Sequence, residues 1–160
     1  MDLGPTVEQE PATEYLLESL IPRNEQQHLL TRLPAGTVIH RFGSTSRGIV
    51  FVKEGTIEIS LPRGDGMAKT IFHIGPGGAV GLTAALSRKV NEFDAVVVEP
   101  VVGYFVPVET LREWLASDRS HYVPIARLLS EWNEKAMIIL RIGRTRPQRN
   151  SLKFQPELLS

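Results

Sequence analysis

The apolar positions fall into three zones of different period. Over residues 12–33, Tyr15, Leu16 and Leu20 stand at helical spacing, and Leu29, Leu30 and Leu33 form a second apolar group. Pro22 separates them, so this zone predicts two short helices. From Leu33 to Pro107 the pattern changes to short apolar stretches punctuated by glycine, proline and charge. Thr37–Phe42, Gly48–Val52, Thr56–Leu61, Lys69–Ile74, Phe93–Val98 and Val101–Val106 read as strands. The strict alternation in Thr56–Leu61 predicts Ile57, Ile59 and Leu61 on one buried face. Breaks fall at Pro34-Ala35-Gly36, Gly43-Ser44, Glu54-Gly55, Pro62 to Gly66, Gly75 to Gly78 and Glu99-Pro100. Many short strands with turn residues at such intervals predict an antiparallel barrel or sandwich.

Residues 107–144 turn helical. Pro107-Val108-Glu109-Thr110 opens one helix, with Leu111, Trp114 and Leu115 inward. Asp118 or Ser120 caps a longer helix, over about 119–144. Along it Tyr122, Ile125, Leu129, Trp132, Ala136 and Ile139 recur at alternating spacings of three and four, a seam of the coiled-coil kind. A second face carries Ala126, Leu128, Met137, Ile138 and Leu140. Two apolar faces fit a helix that meets its own domain on one side and a symmetric partner on the other. The alternative is a helix covered on both sides within one chain. Beyond Gly143, Pro147 and the polar run to Asn150 end the regular pattern, leaving a basic tail over 145–160.

The composition is that of an ordinary globular domain: 160 residues, 42% apolar and 22% charged. The absence of cysteine excludes disulfides, thiolate metal sites and a cysteine nucleophile. The apolar runs are far shorter than the ~20 residues of a membrane span. The first residues carry no basic charge ahead of an apolar stretch, so no secretory signal is expected. The expected location is cytoplasmic. Net charge is zero but uneven. Asp2, Glu8, Glu10, Glu14 and Glu18 make the first twenty residues acidic, while Arg141, Arg144, Arg146, Arg149 and Lys153 make the last twenty basic. Such a tail either attracts phosphate backbones or is simply solvated.

Signatures of catalysis are missing. Gly75 to Gly81 follows a strand, and Leu82-Thr83-Ala84-Ala85-Leu86 can begin a helix, which would bring backbone N–H groups close to a phosphate. The run departs from the dinucleotide fingerprint, however, and no βαβ pattern surrounds it. Gly43 and Gly48 have P-loop spacing, but Ile49 stands where lysine is required. There is neither an HExxH pair nor a G-x-S-x-G elbow. His28, His40, His73 and His121 are scattered; His40 and His73 lie in strands, where a satisfied histidine is the commoner role than a haem or metal ligand. The expectation is a non-enzyme without cofactor or metal.

Several spaced motifs carry a family resemblance. Leu33-Pro34-Ala35-Gly36-Thr37-Val38-Ile39-His40-Arg41-Phe42-Gly43, Val52-Lys53-Glu54-Gly55-Thr56-Ile57 and Pro76-Gly77-Gly78-Ala79-Val80-Gly81-Leu82 occur in this order. They resemble the opening strands, the turn glycine and the phosphate-binding cassette of the cyclic-nucleotide-binding domain in the catabolite-activator (CRP)/FNR superfamily. The likeness runs from about Tyr15 to Arg144. It implies a mainly β domain over 1–144: a double-stranded β-helix (β-roll or jelly roll) with flanking helices and a long C-terminal dimerisation helix. The stretch from Gly81 through Leu86-Ser87 to Glu92 and Ala95 looks closer to the FNR-type members.

The resemblance also implies a ligand site, at Gly81, Leu82, Thr83, Ala84, Arg88, Phe93, Asp94 and Ala95. Two positions depart from it. The family's ribose-binding glutamate corresponds to Leu82, and its phosphate-binding arginine, two residues before a small residue, corresponds to Phe93. An arginine–phosphate pair is charge-assisted, worth about 1.5–3 kcal/mol per hydrogen bond, and its loss leaves the anion unpaired. Phe93, Ala95 and Val97 share one strand face, expected to be apolar and inward, and Asp94 would repel an anion nearby. Arg88 and Lys89 are the substitutes available from the adjoining loop. The expected function is therefore a regulatory or sensory domain that takes a small effector other than cAMP and dimerises through Tyr122, Ile125, Leu129, Trp132, Ala136 and Ile139. The alternatives are a true cyclic-nucleotide sensor using Arg88 and Lys89, and a transcription-related protein touching DNA weakly through its tail. DNA-binding members add a winged helix-turn-helix after the long helix, and the residues after Arg144, with Pro147 and Pro156 among them, leave no room for one.

Overall fold

The computed structural model describes residues 6–7 and 20–130. The readings made on 12–19, on the C-terminal part of the long helix (Trp132, Ala136 and Ile139) and on the basic tail lie outside the described residues. In chain order the elements are β1 (Thr6–Val7), α1 (Gln26–Leu29), β2 (Leu30–Leu33), β3 (Val38–His40), β4 (Gly48–Pro62), β5 (Ala68–Ile74), β6 (Ala79–Val80), α2 (Leu82–Ser87), β7 (Asp94–Pro107) and α3 (Val108–Ser117). A 3₁₀ turn, Arg119–His121, follows, and helical backbone runs over 122–130.

The strands form one mainly antiparallel sheet in the order β1-β5-β4-β7-β2, with β3 on β7 and β6 on β4. Its axis is the long pair β4–β7, which stays in contact from Gly48 opposite Pro107 to Ser60 opposite Asp94. Each of these strands joins two stretches that the sequence separates at Lys53–Gly55 and at Glu99-Pro100. The merger has a local cause. Register shifts at Val52/Glu54, Glu54/Thr56 and Thr56/Ile57 absorb extra residues without ending the pairing. Gly55, at φ +92°, provides the left-handed backbone this requires; a side chain there would meet the Glu99 and Pro100 carbonyls.

The shift also changes which residues face inward. Before it, Val50 and Val52 enter one cluster with Ala95, Val97 and Val101, while Ile49 and Phe51 point to the other face, against Tyr104, Val106 and the helices. After it, the odd residues Ile57 and Ile59 enter the first cluster. A further shift between Ile59 and Ser60 buries Ser60 and leaves Leu61 only half-buried, contrary to the simple alternation. Leu20 and Ile21, α2, α3 (Leu111, Trp114) and Ile125 and Leu128 from 122–130 complete the second cluster.

Two other expectations change. Leu30–Leu33 is a strand rather than part of a helix, because Leu30 to Leu33 pair with Tyr104 to Val101 along the edge of β7. The strand expected over Thr37–Phe42 is only three residues long and gives way to a turn at Phe42-Gly43. The expected helix after Pro107 forms as α3. Asp118 caps the next turn, accepting from the Ser120 N–H at 2.9 Å; the Ser120 hydroxyl, and after it this N–H, hold its carboxyl below the ordinary carboxylate value.

Gly103 tests the closeness of the axial pair. A Cβ on it would overlap the Phe51 carbonyl and stand 3.4 Å from Val52 Cα. Gly103→Val is expected to destabilise the domain by about 3 kcal/mol, read as a lower urea midpoint.

Candidate functional site

Gly81, at φ +90°, turns the chain from β6 into α2. A Cβ there would lie 2.7 Å from the Gly48 carbonyl oxygen, so α2 begins directly against the backbone of β4. That approach drives Leu82 inward. It is 1% exposed and packs in the cluster of Ile49, Phe51, Ala85 and Tyr104. Ala84 and Ala85 are buried on the same short helix, whereas Thr83 faces outward. Arg88 ends the helix in the left-handed region at φ +58°; it and Lys89 are exposed.

The other expected ligand residues lie on the loop before β7 and at its start. Ala95 is fully buried and Phe93 packs against the cluster around Val50 and Ile59, so the expected apolar, inward face is present. Asp94 faces away from it. Its carboxylate accepts from the Phe42 N–H at 2.7 Å and lies 3.7 Å from the Arg41 guanidinium. Its charge is thus turned toward the loop that follows β3. Of the expected dimer residues, Tyr122 is exposed, Leu129 packs partly on the core and Ile125 is buried in the chain's own core.

A groove that the sequence reading missed opens on that same loop. It has a volume of about 320 Å³ and is lined by Val38 to Arg41, Ser44 to Gly48, Asn91 and Phe105. None of the eight expected ligand residues lines it. The one sequence signal for it is the Gly43-to-Gly48 glycine spacing, which lacks the lysine of a P-loop. His40 Nδ1 is 2.9 Å from the Phe93 carbonyl, which can only accept, so this nitrogen carries the proton. Burial pushes the imidazolium below its ordinary value of 6.5, outweighing the opposing pull of that carbonyl and of Asp94. In β5, His73 is buried with Nε2 3.6 Å from Glu58 Oε2. Among the described residues no cluster of three or more His, Asp or Glu side chains is placed to hold a metal, and no helix is long and apolar enough to cross a membrane.

The His40 shift fixes the sign of a pH effect. A pKa lowered on folding means that the unfolded chain binds the proton more readily. The stability it confers is complete above 6.5 and declines as pH falls from there toward the folded value. Between about pH 7.5 and 5.5 the melting temperature of the native protein should fall by more than that of His40→Gln, measured by calorimetry in matched buffers.

The cyclic nucleotide-binding domain model matches residues 30–118, more than half of the chain. No curated protein sequence matches. Among solved structures, the c-di-GMP-responsive global regulator CLP of Xanthomonas campestris is similar with a TM-score of 0.67 and 16% identity, over 86% of this chain and 64% of that one. The catabolite activator protein of Thermus thermophilus is similar at 0.59 and 19%, over 85% and 61%. The regulatory subunit of a cAMP-independent protein kinase A from Trypanosoma brucei is similar at 0.56 and 21%, over 75% and 43%. The chain therefore spans less than two thirds of the length of each of these relatives. Their likeness shows a shared fold, that of the CRP-type regulators, and the match over 30–118 assigns the sequence: the chain belongs to the cyclic nucleotide-binding domain family.

Proposed function

We propose that this domain is a non-catalytic regulatory module whose effector is not cAMP or cGMP, and that it acts as a dimer through the helix beginning at residue 122. The observation that carries the reading is the burial of Leu82. In the family the corresponding glutamate holds a ribose hydroxyl from a site open to the ligand. Here the side chain is apolar and packed among Ile49, Phe51 and Tyr104, so it neither accepts a hydrogen bond nor reaches a ligand. Phe93 adds to this, because an aromatic ring packed on the core offers no charge to a phosphate. Similar folds carry varied regulation: one neighbour responds to c-di-GMP and another is cAMP-independent. Effector binding in such a module acts by shifting the population of positions taken by the helix after α3.

The dimer is supported by Tyr122 and Val123, exposed to 50% and 66% at the start of that helix. These side chains are free of the domain's own core, whereas Ile125 of the same seam is committed to it, so the docking face would run through Tyr122 and the neighbouring Val123.

Two measurements test the reading. A thermal-shift titration with cAMP and cGMP should be flat. A ligand at 100 times its dissociation constant would stabilise by about 2.7 kcal/mol, or roughly 5–10 °C, and such a rise would overturn the reading in favour of phosphate capture by Arg88 and Lys89. Val123→Glu, at an exposed site where folding is unaffected, should convert the dimer to a monomer by light scattering. An unchanged dimer would place the interface elsewhere.

A further inference from the structure

We propose that the groove between β3 and the 44–48 segment is a ligand site separate from the cassette, and that it takes a small monocarboxylate with an apolar body. The walls of the groove are held by hydrogen bonds. Residues 41–47 have no regular secondary structure, yet they are pinned at both ends. Asn91, 4% exposed, accepts from the Gly43 N–H through its carbonyl at 2.7 Å and donates its own N–H to the Ser44 carbonyl at 2.8 Å. Its side-chain amide donates to the same carbonyl at 3.1 Å and to Ser44 Oγ at 3.2 Å. At the other end the Val108 N–H donates to the Arg47 carbonyl at 3.1 Å. A segment held this way is preorganised, so an occupant would not have to order it.

The chemistry of the lining is mixed in the manner of a binding site. Val38, Ile39 and Phe105 supply apolar surface. Ser46 Oγ is buried and has no hydrogen-bond partner in the protein, the one such side-chain atom among the described residues. A buried hydroxyl in that state favours an occupant that bonds to it. The charge selects the occupant further. Arg41 is partly neutralised by Asp94, while exposed Arg47 has no ion pair among the described residues. With Asp94 the only carboxylate paired to the lining among the described residues, the two guanidinium groups leave one net positive charge. One net charge matches a monoanion, and the planar guanidinium fork matches a carboxylate. Gly48, whose Cβ would stand 2.8 Å from the Phe105 ring, keeps that wall free of a further side chain.

The probes are benzoate and its neutral isostere benzamide, titrated into the purified full chain and followed by backbone amide NMR shifts. Benzoate is expected to shift the amides of Ser44 to Gly48 and Asn91 saturably below about 10 mM, with benzamide at least about tenfold weaker. Arg47→Gln should weaken benzoate by about tenfold while leaving the melting temperature of the free protein unchanged. Ser46→Ala should weaken benzoate several-fold and leave the free protein as stable as before or more so. No saturable shift, equal binding of benzamide, or shifts confined to the α2 residues would overturn the proposal. A Ser46→Ala protein with a lowered melting temperature would do the same, since the hydroxyl would then be satisfied within the fold. The result is read separately from the nucleotide titration, because no cassette residue lines the groove.

Discussion

The change of facing along β4 is the constraint on which the rest of the domain depends. A strand with a fixed period of two has one inner face throughout. β4 does not, because the irregular pairing around Gly55 inserts an odd step between Val52 and Ile57. The result is one strand that serves two cores. Its first part is buried on both sides, between the strands and the helices, and its second part sends Ile57 and Ile59 into the first cluster alone. β7 keeps its phase across the same region: Ala95, Val97 and Val101 face the first cluster, and Tyr104 and Val106 face the helices. The helical layer, with α2 and α3, can therefore dock only at the Gly48–Val52 end of the pair.

That docking sets the character of the cassette. α2 starts so close to Gly48 that only a glycine fits at 81, and the next residue is carried into the helical core. An apolar side chain at 82 is the residue type such a position stabilises, whereas a carboxylate there would be desolvated without a partner. The polar groups that the cassette lacks are concentrated one loop away. Arg41, Ser44, Ser46, Arg47 and Asn91 surround the segment leading into β4, and Asp94 turns toward it. Because Asn91 follows α2 in the chain and also clamps Ser44, the groove and the cassette share a backbone anchor.

The extent to which this architecture is legible in the sequence follows from how local each determinant is. The turns at Gly36 and Gly77, the helix after Pro107 and the apolar face of Ala95 and Val97 are written in adjacent residues, and each is found where expected, whereas the break expected at Gly55 is a bulge inside one continuous strand. The family motifs likewise sit within short windows. Other features need a partner distant in the chain. Leu29, Leu30 and Leu33 satisfy a helical period, but the edge of β7 draws Leu30 to Leu33 into the sheet. Leu61 satisfies an alternating period, but the shift after Ile59 interrupts it. The direction of Asp94 depends on Arg41 and on the Phe42 amide, more than fifty residues earlier in the chain. The groove was illegible for the same reason: β3, the 44–48 segment, Asn91 and Phe105 meet only once the sheet has formed.

The axial strand pair has a kinetic side as well. β4 and β5 form a hairpin across the short Arg63 to Met67 turn, and such local contacts close quickly. The pairing of Gly48 with Pro107 closes a far longer loop, with β5, β6 and α2 inside it. The entropy of that closure is lost before either core is complete, and non-local pairings of this kind govern how slowly β-rich domains reach the native state. Until β7 arrives, the doubly buried Ile49-Val50-Phe51-Val52 run has no β7 backbone partner: the segment that joins the two cores is also an apolar strand edge open to wrong pairing while the domain folds.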